Sequence, residues 1–162
     1  MLSVGLVLMN IPELAKRWTS PESTAVDAEN SEAAAIVTLR RLAEAVETYK
    51  KGFGKLPAQL AQLGPARRGE VSPDKANLIE QELAAGSKGG YVFVYRVVTS
   101  PKVKDAKEAV GESTEPTYAL TATPSEYGKT GKRSFFLDAT GELRGGDKQG
   151  AEASAEDPKV SP

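Results

Sequence analysis

The sequence predicts an α+β protein in which a long N-terminal α-helix packs against a small antiparallel β-sheet of three or four strands. Apolar residues recur at spacings of three and four between residues 32 and 51, which indicates one buried helix face. Segment 91–98, with the sequence YVFVYRVV, is almost wholly β-branched or aromatic, which is typical of a strand. A length of 162 residues favours one domain with a single core.

The helix is predicted over residues 32–51, and two starting points stay open. Ser20-Pro21 provides a hydroxyl cap followed by proline at the first helical position, whereas Ser31 offers a second start after a polar stretch. Gly52 is expected to end the helix. The apolar stripe, which Leu42 widens, is predicted to pack on the sheet through Ile36, Leu39, Ala43, Val46 and Tyr49.

The sheet is predicted as a meander that follows the helix. Its strands are expected at residues 91–98, 118–123, 134–137 and 142–144. In the first strand, Tyr91, Phe93 and Tyr95 share the face that would meet the helix. Residues 138–141 suit a hairpin turn. Between helix and sheet, residues 74–85 are predicted as a second short helix, and residues 101–116 as an exposed loop between strands.

Composition divides the chain into four parts. Residues 1–18 form an apolar N-terminal helical segment, whose uncharged first nine residues would reach only about 14 Å and are too short to cross a bilayer. Residues 19–30 are a polar joint, and residues 31–145 the globular head. Residues 146–162 lack aromatic side chains and are predicted to be a flexible C-terminal tail.

Most catalytic and metal-binding arrangements are excluded by residue type. The chain has no histidine and no cysteine, so it lacks Ser-His-Asp and Cys-His catalysis and zinc sites built from those residues. Gly128-Lys129-Thr130 lacks the earlier glycine of a phosphate-binding loop, since Thr123 stands there. Three acids, Asp138, Glu142 and Asp147, do not follow a calcium-loop spacing. We expect no enzyme activity, cofactor or metal, and the net charge of −1 does not favour nucleic acid.

Several segments, in order, resemble type IV pilins and type II secretion pseudopilins. The resemblance begins with IPELAKR at residues 11–17 and continues with NSEAAAIVTLR at residues 30–40 and Tyr49. Family members start with a basic leader, a glycine before the cleavage site and an acid in an apolar helix. Because these are not found here, we expect them upstream of Met1. The downstream segments that resemble pilin heads are residues 60–64, 78–79, 86–95, 118–124, 128–131, 133–136 and 138–144.

The resemblance implies a structural subunit of a type IV pilus-like filament, with the head facing outward. Its partners would be further copies of itself, the pilus or secretion assembly machinery, and the inner membrane before assembly. The finished filament would lie at the cell surface or in the periplasm. Each buried aliphatic side chain contributes about 1.5 to 3 kcal/mol, so a few can hold a subunit. The residues expected in the filament core are Leu2, Val4, Leu6, Val7, Leu8, Ile11 and Pro12.

Two alternatives remain open. The major pseudopilin of a type II secretion system would assemble by the same contacts. An exported ligand-binding module would instead use the loop at 101–116 or the basic turn of Lys129, Lys132 and Arg133.

Overall fold

A computed structural model describes residues 21–99 and 116–160. Helix α1 is long, and a second helix, α2, is a single turn. Two 3₁₀ turns lie between them, at Leu60–Gln62 and Arg67–Gly69. The elements are α1 (Pro21–Phe53), α2 (Gln81–Ala84), β1 (Ser87–Lys88), β2 (Tyr91–Val98), β3 (Thr117–Pro124), β4 (Arg133–Asp138) and β5 (Leu143–Asp147).

The five strands form one antiparallel sheet in the order β1-β2-β3-β4-β5. Strands β2 and β3 are in register over all eight residues, from Tyr91 opposite Pro124 to Val98 opposite Thr117. Because side chains alternate along a strand, each strand has an inner face toward α1 and an outer face away from it. The inner face carries Tyr91, Phe93, Tyr118, Leu120, Ala122, Phe135, Leu137 and Leu143, all of them buried.

The core lies between this inner face and α1. Leu39, Leu42 and Val46 of the helix are fully buried there. Tyrosine hydroxyls at the core margin donate hydrogen bonds to loop carbonyls: Tyr49 to Pro73 at 2.6 Å and Tyr95 to Pro57 at 2.8 Å. These bonds tie the residues between α1 and the sheet to the core, because a buried hydroxyl needs a partner.

The predicted three- or four-stranded sheet is wrong: the sheet has five strands, although the fold is α+β. Strand β1 was not predicted, because Ser87–Lys88 is only two residues long and carries no alternating pattern. The prediction for residues 91–98 is confirmed without change. The second short helix expected at 74–85 is wrong in length, since only Gln81–Ala84 is helical.

The joint expected at residues 19–30 is not an interruption in the described part of α1. The helix already includes Pro21, the first residue that the structure describes, so the start near Ser31 is wrong and the start near Ser20-Pro21 stays a prediction. Helix α1 has 33 residues and is about 50 Å long.

The flexible tail predicted over 146–162 is wrong for residues up to 160. Strand β5 extends to Asp147, and residues after it form a loop that contacts Arg96 and Ser134 on the outer face of the sheet. We call residues 148–160 the C-terminal segment. Ala153 and Asp157 are buried within it, and Val160 packs against the core. Its end pairs with β5, since the amide of Gly145 donates to the carbonyl of Pro158 at 3.0 Å.

Candidate assembly surface

The two faces of α1 differ in what covers them. The buried face follows a strict alternation of four- and three-residue steps through Ala28, Glu32, Ala35, Leu39, Leu42, Val46 and Tyr49. This spacing keeps one stripe toward the sheet along about six turns of helix. On the opposite face, Ala33, Ala34 and Arg40 are exposed, and Val37 is 66% exposed.

Glu32 is a charged residue within this buried stripe. One carboxylate oxygen accepts hydrogen bonds from the backbone amides of Lys132 at 2.9 Å and Arg133 at 3.2 Å. The other accepts from Nε of Arg133 at 2.7 Å. Glu32 thereby joins the N-terminal half of α1 to the start of β4. A buried carboxylate is tolerated when hydrogen bonds and a cation satisfy its oxygens.

These contacts also set the protonation of Glu32. Burial alone would raise the pKa of its carboxyl group, because the charged form loses water. The hydrogen bonds from Lys132 and Arg133, together with the arginine charge, outweigh burial and lower the pKa below its ordinary value of 4.5. Glu32 is therefore charged at neutral pH and at mildly acidic pH.

The start of β4 is packed closely around this carboxylate. The hydroxyl of Tyr91 donates a hydrogen bond to the carbonyl of Arg133 at 2.9 Å, and the Arg133 guanidinium lies 5.5 Å from the Phe135 ring centre. A methyl group on Gly131 would stand only 2.0 Å from the Tyr91 hydroxyl. Glycine is required at position 131 so that β4 can approach Tyr91.

The predicted helix-to-sheet residues divide into two groups. Leu39, Val46, Tyr49, Tyr91 and Phe93 are buried, and Ile36, Ala43 and Tyr95 are partly buried against the same core. The predicted filament-core residues at positions 2, 4, 6, 7, 8, 11 and 12 lie outside the described residues.

Two kinds of buried helix residue were missed. Ala45 was not predicted to be buried, because alanine contributes little to an apolar pattern. Glu32 was missed because acids are usually exposed. Its four-residue distance from Ala28 and three-residue distance from Ala35 is the signal that places it on the buried stripe.

The three acids weighed as a calcium site serve separate local roles. Asp138 accepts a hydrogen bond from the amide of Thr140 at 2.9 Å in the hairpin turn. Glu142 pairs with Arg144 at 2.7 Å, and Asp147 accepts from the hydroxyl of Tyr127 at 3.0 Å. Among residues 21–99 and 116–160, no group of three acidic side chains is arranged to hold a metal ion.

Two of the three basic side chains in the turn weighed as a ligand site have acidic partners within the chain. Lys129 pairs with Glu126 at 2.6 Å, and Nε of Arg133 pairs with Glu32 at 2.7 Å. Lys132 bonds to Glu32 through its backbone amide. The loop at 101–116 lies outside the described residues, apart from residue 116. Among the described residues, pockets open to solvent lie away from this turn. One, of about 240 Å³, lies beside Leu60 and Phe93, and the other, of about 330 Å³, lies at the β1–β2 turn.

No protein-family model, curated protein or solved structure matches this chain. Within the part of the chain that the structure describes, no helix has the length and apolar character needed to cross a bilayer.

Proposed function

We propose that the chain is a structural subunit of a type IV pilus-like filament and assembles through its apolar N-terminal segment. The observation that carries the proposal is the division of α1 into one face bound to the sheet and one exposed face. A subunit of this kind needs a helix fixed to its own head on one side and open to other copies on the other. Helix α1 has this form from residue 27 to residue 49.

The attachment of α1 to the head supports the same role. Apolar contacts at Leu39, Leu42 and Val46 hold its C-terminal half, and the Glu32 carboxylate holds its N-terminal half. A helix attached to the sheet along both halves can bear a force applied between the N-terminal segment and the head without detaching from the sheet. The apolar residues 1–11 directly precede the polar part of the chain and would be the N-terminal segment that contacts other copies.

The test is to remove the apolar character of the N-terminal segment. We expect Leu6→Asp/Leu8→Asp, or deletion of residues 1–11, to abolish filaments seen by electron microscopy and by sedimentation. The circular dichroism spectrum and thermal unfolding of the head should remain unchanged. Val71→Asp is the matched control, because Val71 is 59% exposed on the head, and this variant should still assemble.

Filaments formed by the Leu6→Asp/Leu8→Asp variant would contradict the proposal, as would a full-length chain that remains monomeric. A secretion pseudopilus would use the same contacts. Deleting the gene distinguishes the two roles, since loss of surface fibres supports a pilus and loss of protein export with fibres intact supports a pseudopilus.

A further inference from the structure

The exposed face of α1 carries charges in a self-complementary order. Asp27 and Glu29 come first along the helix, the small residues Ala33 and Ala34 follow, and Arg40 and Arg41 come last. All six are exposed. Within residues 21–99 and 116–160, neither Glu29 nor Arg40 has an ionic or hydrogen-bonded partner, and Arg41 has only a contact of 3.5 Å with the exposed Glu80.

The acidic and basic residues are spaced almost evenly on either side of Ala34. Glu29 and Arg40 are eleven residues apart, which is close to three helical turns, so they lie on the same side of the helix about 16 Å apart. The midpoint of this pair lies just after Ala34, and the midpoint of Asp27 and Arg41 lies at Ala34 itself. A two-fold axis close to Ala34 would therefore place each acid of one helix beside a base of an antiparallel second helix.

The residues at this centre permit close contact. Alanine side chains at positions 33 and 34 let two helices approach to about 8 Å, the short end of the usual range. Val37, one turn further along, is 66% exposed and would pack against the second helix near its residue 31. An apolar centre with charged ends is the arrangement of a small isologous interface.

We propose that two copies of the chain dimerise through this face, with their α1 helices antiparallel and Glu29 of each copy paired with Arg40 of the other. A parallel pair in register would instead place Glu29 beside Glu29 and Arg40 beside Arg40, which is repulsive. The contact joins copies of opposite polarity through the face that the proposed filament leaves open to other copies, so a given copy makes one contact or the other. The dimer is argued from the charges on α1 and does not rest on the filament.

The main test is a charge swap in the full-length chain. Sedimentation equilibrium at low salt is measured in the Leu6→Asp/Leu8→Asp background, so that residues 1–11 do not contribute. We expect Glu29→Arg alone and Arg40→Glu alone each to weaken dimerisation roughly tenfold, because each reversal breaks two symmetry-related ion pairs. The double variant Glu29→Arg/Arg40→Glu should return to within about threefold of the background affinity.

Two controls separate this dimer from general charge effects and from other orientations. Glu156→Arg changes the net charge by the same amount at an exposed position and should leave dimerisation unchanged. The chain has no cysteine, so Glu29→Cys and Arg40→Cys proteins of different mass can be mixed and crosslinked with a short bismaleimide. The antiparallel pair predicts mainly the mixed product, in which position 29 of one copy is joined to position 40 of the other.

Three results would overturn the proposal. They are a double variant that dimerises as weakly as the single variants, crosslinks mainly between identical positions, and a background chain that remains monomeric at every concentration. Evidence against the filament would not count against this dimer, because the Leu6→Asp/Leu8→Asp background already lacks an apolar N-terminal segment.

Discussion

The two faces of the sheet are covered in different ways. Helix α1 covers the inner face with apolar side chains that are almost completely buried, and Glu32 is a buried acid among them. The C-terminal segment covers part of the outer face mainly through polar contacts. The hydroxyl of Ser134 donates to the carbonyl of Ala151 at 2.6 Å, and Arg96 binds both carboxylate oxygens of Glu152 at 2.8 and 3.1 Å.

This difference has an energetic meaning. Burying apolar surface is strongly favourable, whereas a surface ion pair contributes little because water already solvates both charges. The outer layer also leaves two buried threonine hydroxyls, of Thr121 and Thr123, without hydrogen-bond partners among the described residues. The inner layer therefore holds the fold together, and the outer layer contributes less to stability than its many polar contacts suggest.

The largest loss of stability should come from a cavity between α1 and the inner face of the sheet. Leu42 is fully buried between α1 and the sheet, and Leu42→Ala removes its side chain from a packed core. We expect a loss of about 3 kcal/mol in the free energy of unfolding, measured by urea denaturation. Val71→Ala, at a position 59% exposed on the head, is the control and should change stability by less than about 0.5 kcal/mol. Equal effects would show that α1 is not held by this stripe.

The second effect concerns the buried acid of the inner layer. Glu32→Gln keeps the shape of the side chain but removes the charge that Arg133 and two backbone amides bind. We expect a loss of about 2 kcal/mol at pH 7, in the range of hydrogen bonds to charged groups. Glu44→Gln, exposed on the same helix outside the proposed dimer contact, is the control and should have little effect on unfolding.

The pH dependence of this difference follows from the pKa of Glu32. Because folding lowers that pKa, the folded chain binds fewer protons than the unfolded chain, and acid favours unfolding. The stability that Glu32 contributes is complete above the ordinary pKa of 4.5 and is lost as the pH falls through the lower pKa of the folded state. The difference between wild type and Glu32→Gln should therefore shrink below about pH 4.5. A difference that stays constant with pH would contradict this account.

The contrast between the layers also explains what could be predicted from the sequence. The inner layer follows from periodicity, since apolar residues of α1 and β2 recur at the spacing of a helix and a strand. The C-terminal segment was predicted to be a flexible tail because its composition is polar, and Val160 is its only large aliphatic residue. Its contacts are made by Ser134, Arg96 and backbone carbonyls, which come together only in three dimensions.

The two faces of α1 could also be predicted only in part from the sequence. The exposed face of α1 follows from the position of its buried stripe, so the chemistry of Ala33, Ala34 and Arg40 could be read once the helix was predicted. Glu32 could not be assigned to the core from its type, because its partners Lys132 and Arg133 are a hundred residues away in sequence. Long-range polar contacts of this kind depend on the topology of the sheet.

A substitution on the outer face of the sheet is expected to increase stability. Thr121 is 5% exposed, and its hydroxyl has no partner within residues 21–99 and 116–160. Thr121→Val replaces that hydroxyl by a methyl group of similar size and removes the cost of its lost hydration. We expect a gain of about 1 kcal/mol in the free energy of unfolding by urea denaturation. Thr117→Val, exposed on the same strand, is the control, and destabilisation by Thr121→Val would indicate that the hydroxyl is hydrated or bonded in solution.

The smallest effect should come from the ion pair that joins β2 to the C-terminal segment across the outer layer. Arg96 and Glu152 have side chains 60% and 40% exposed, so water screens their attraction. We expect Glu152→Gln to lower the free energy of unfolding by no more than about 0.5 kcal/mol, and less at high salt. Glu156→Gln, exposed four residues later, is the control for loss of one negative charge. A loss as large as that of Glu32→Gln would mean that the outer layer is as firmly held as the inner one, and the contrast between the two faces of the sheet would not stand.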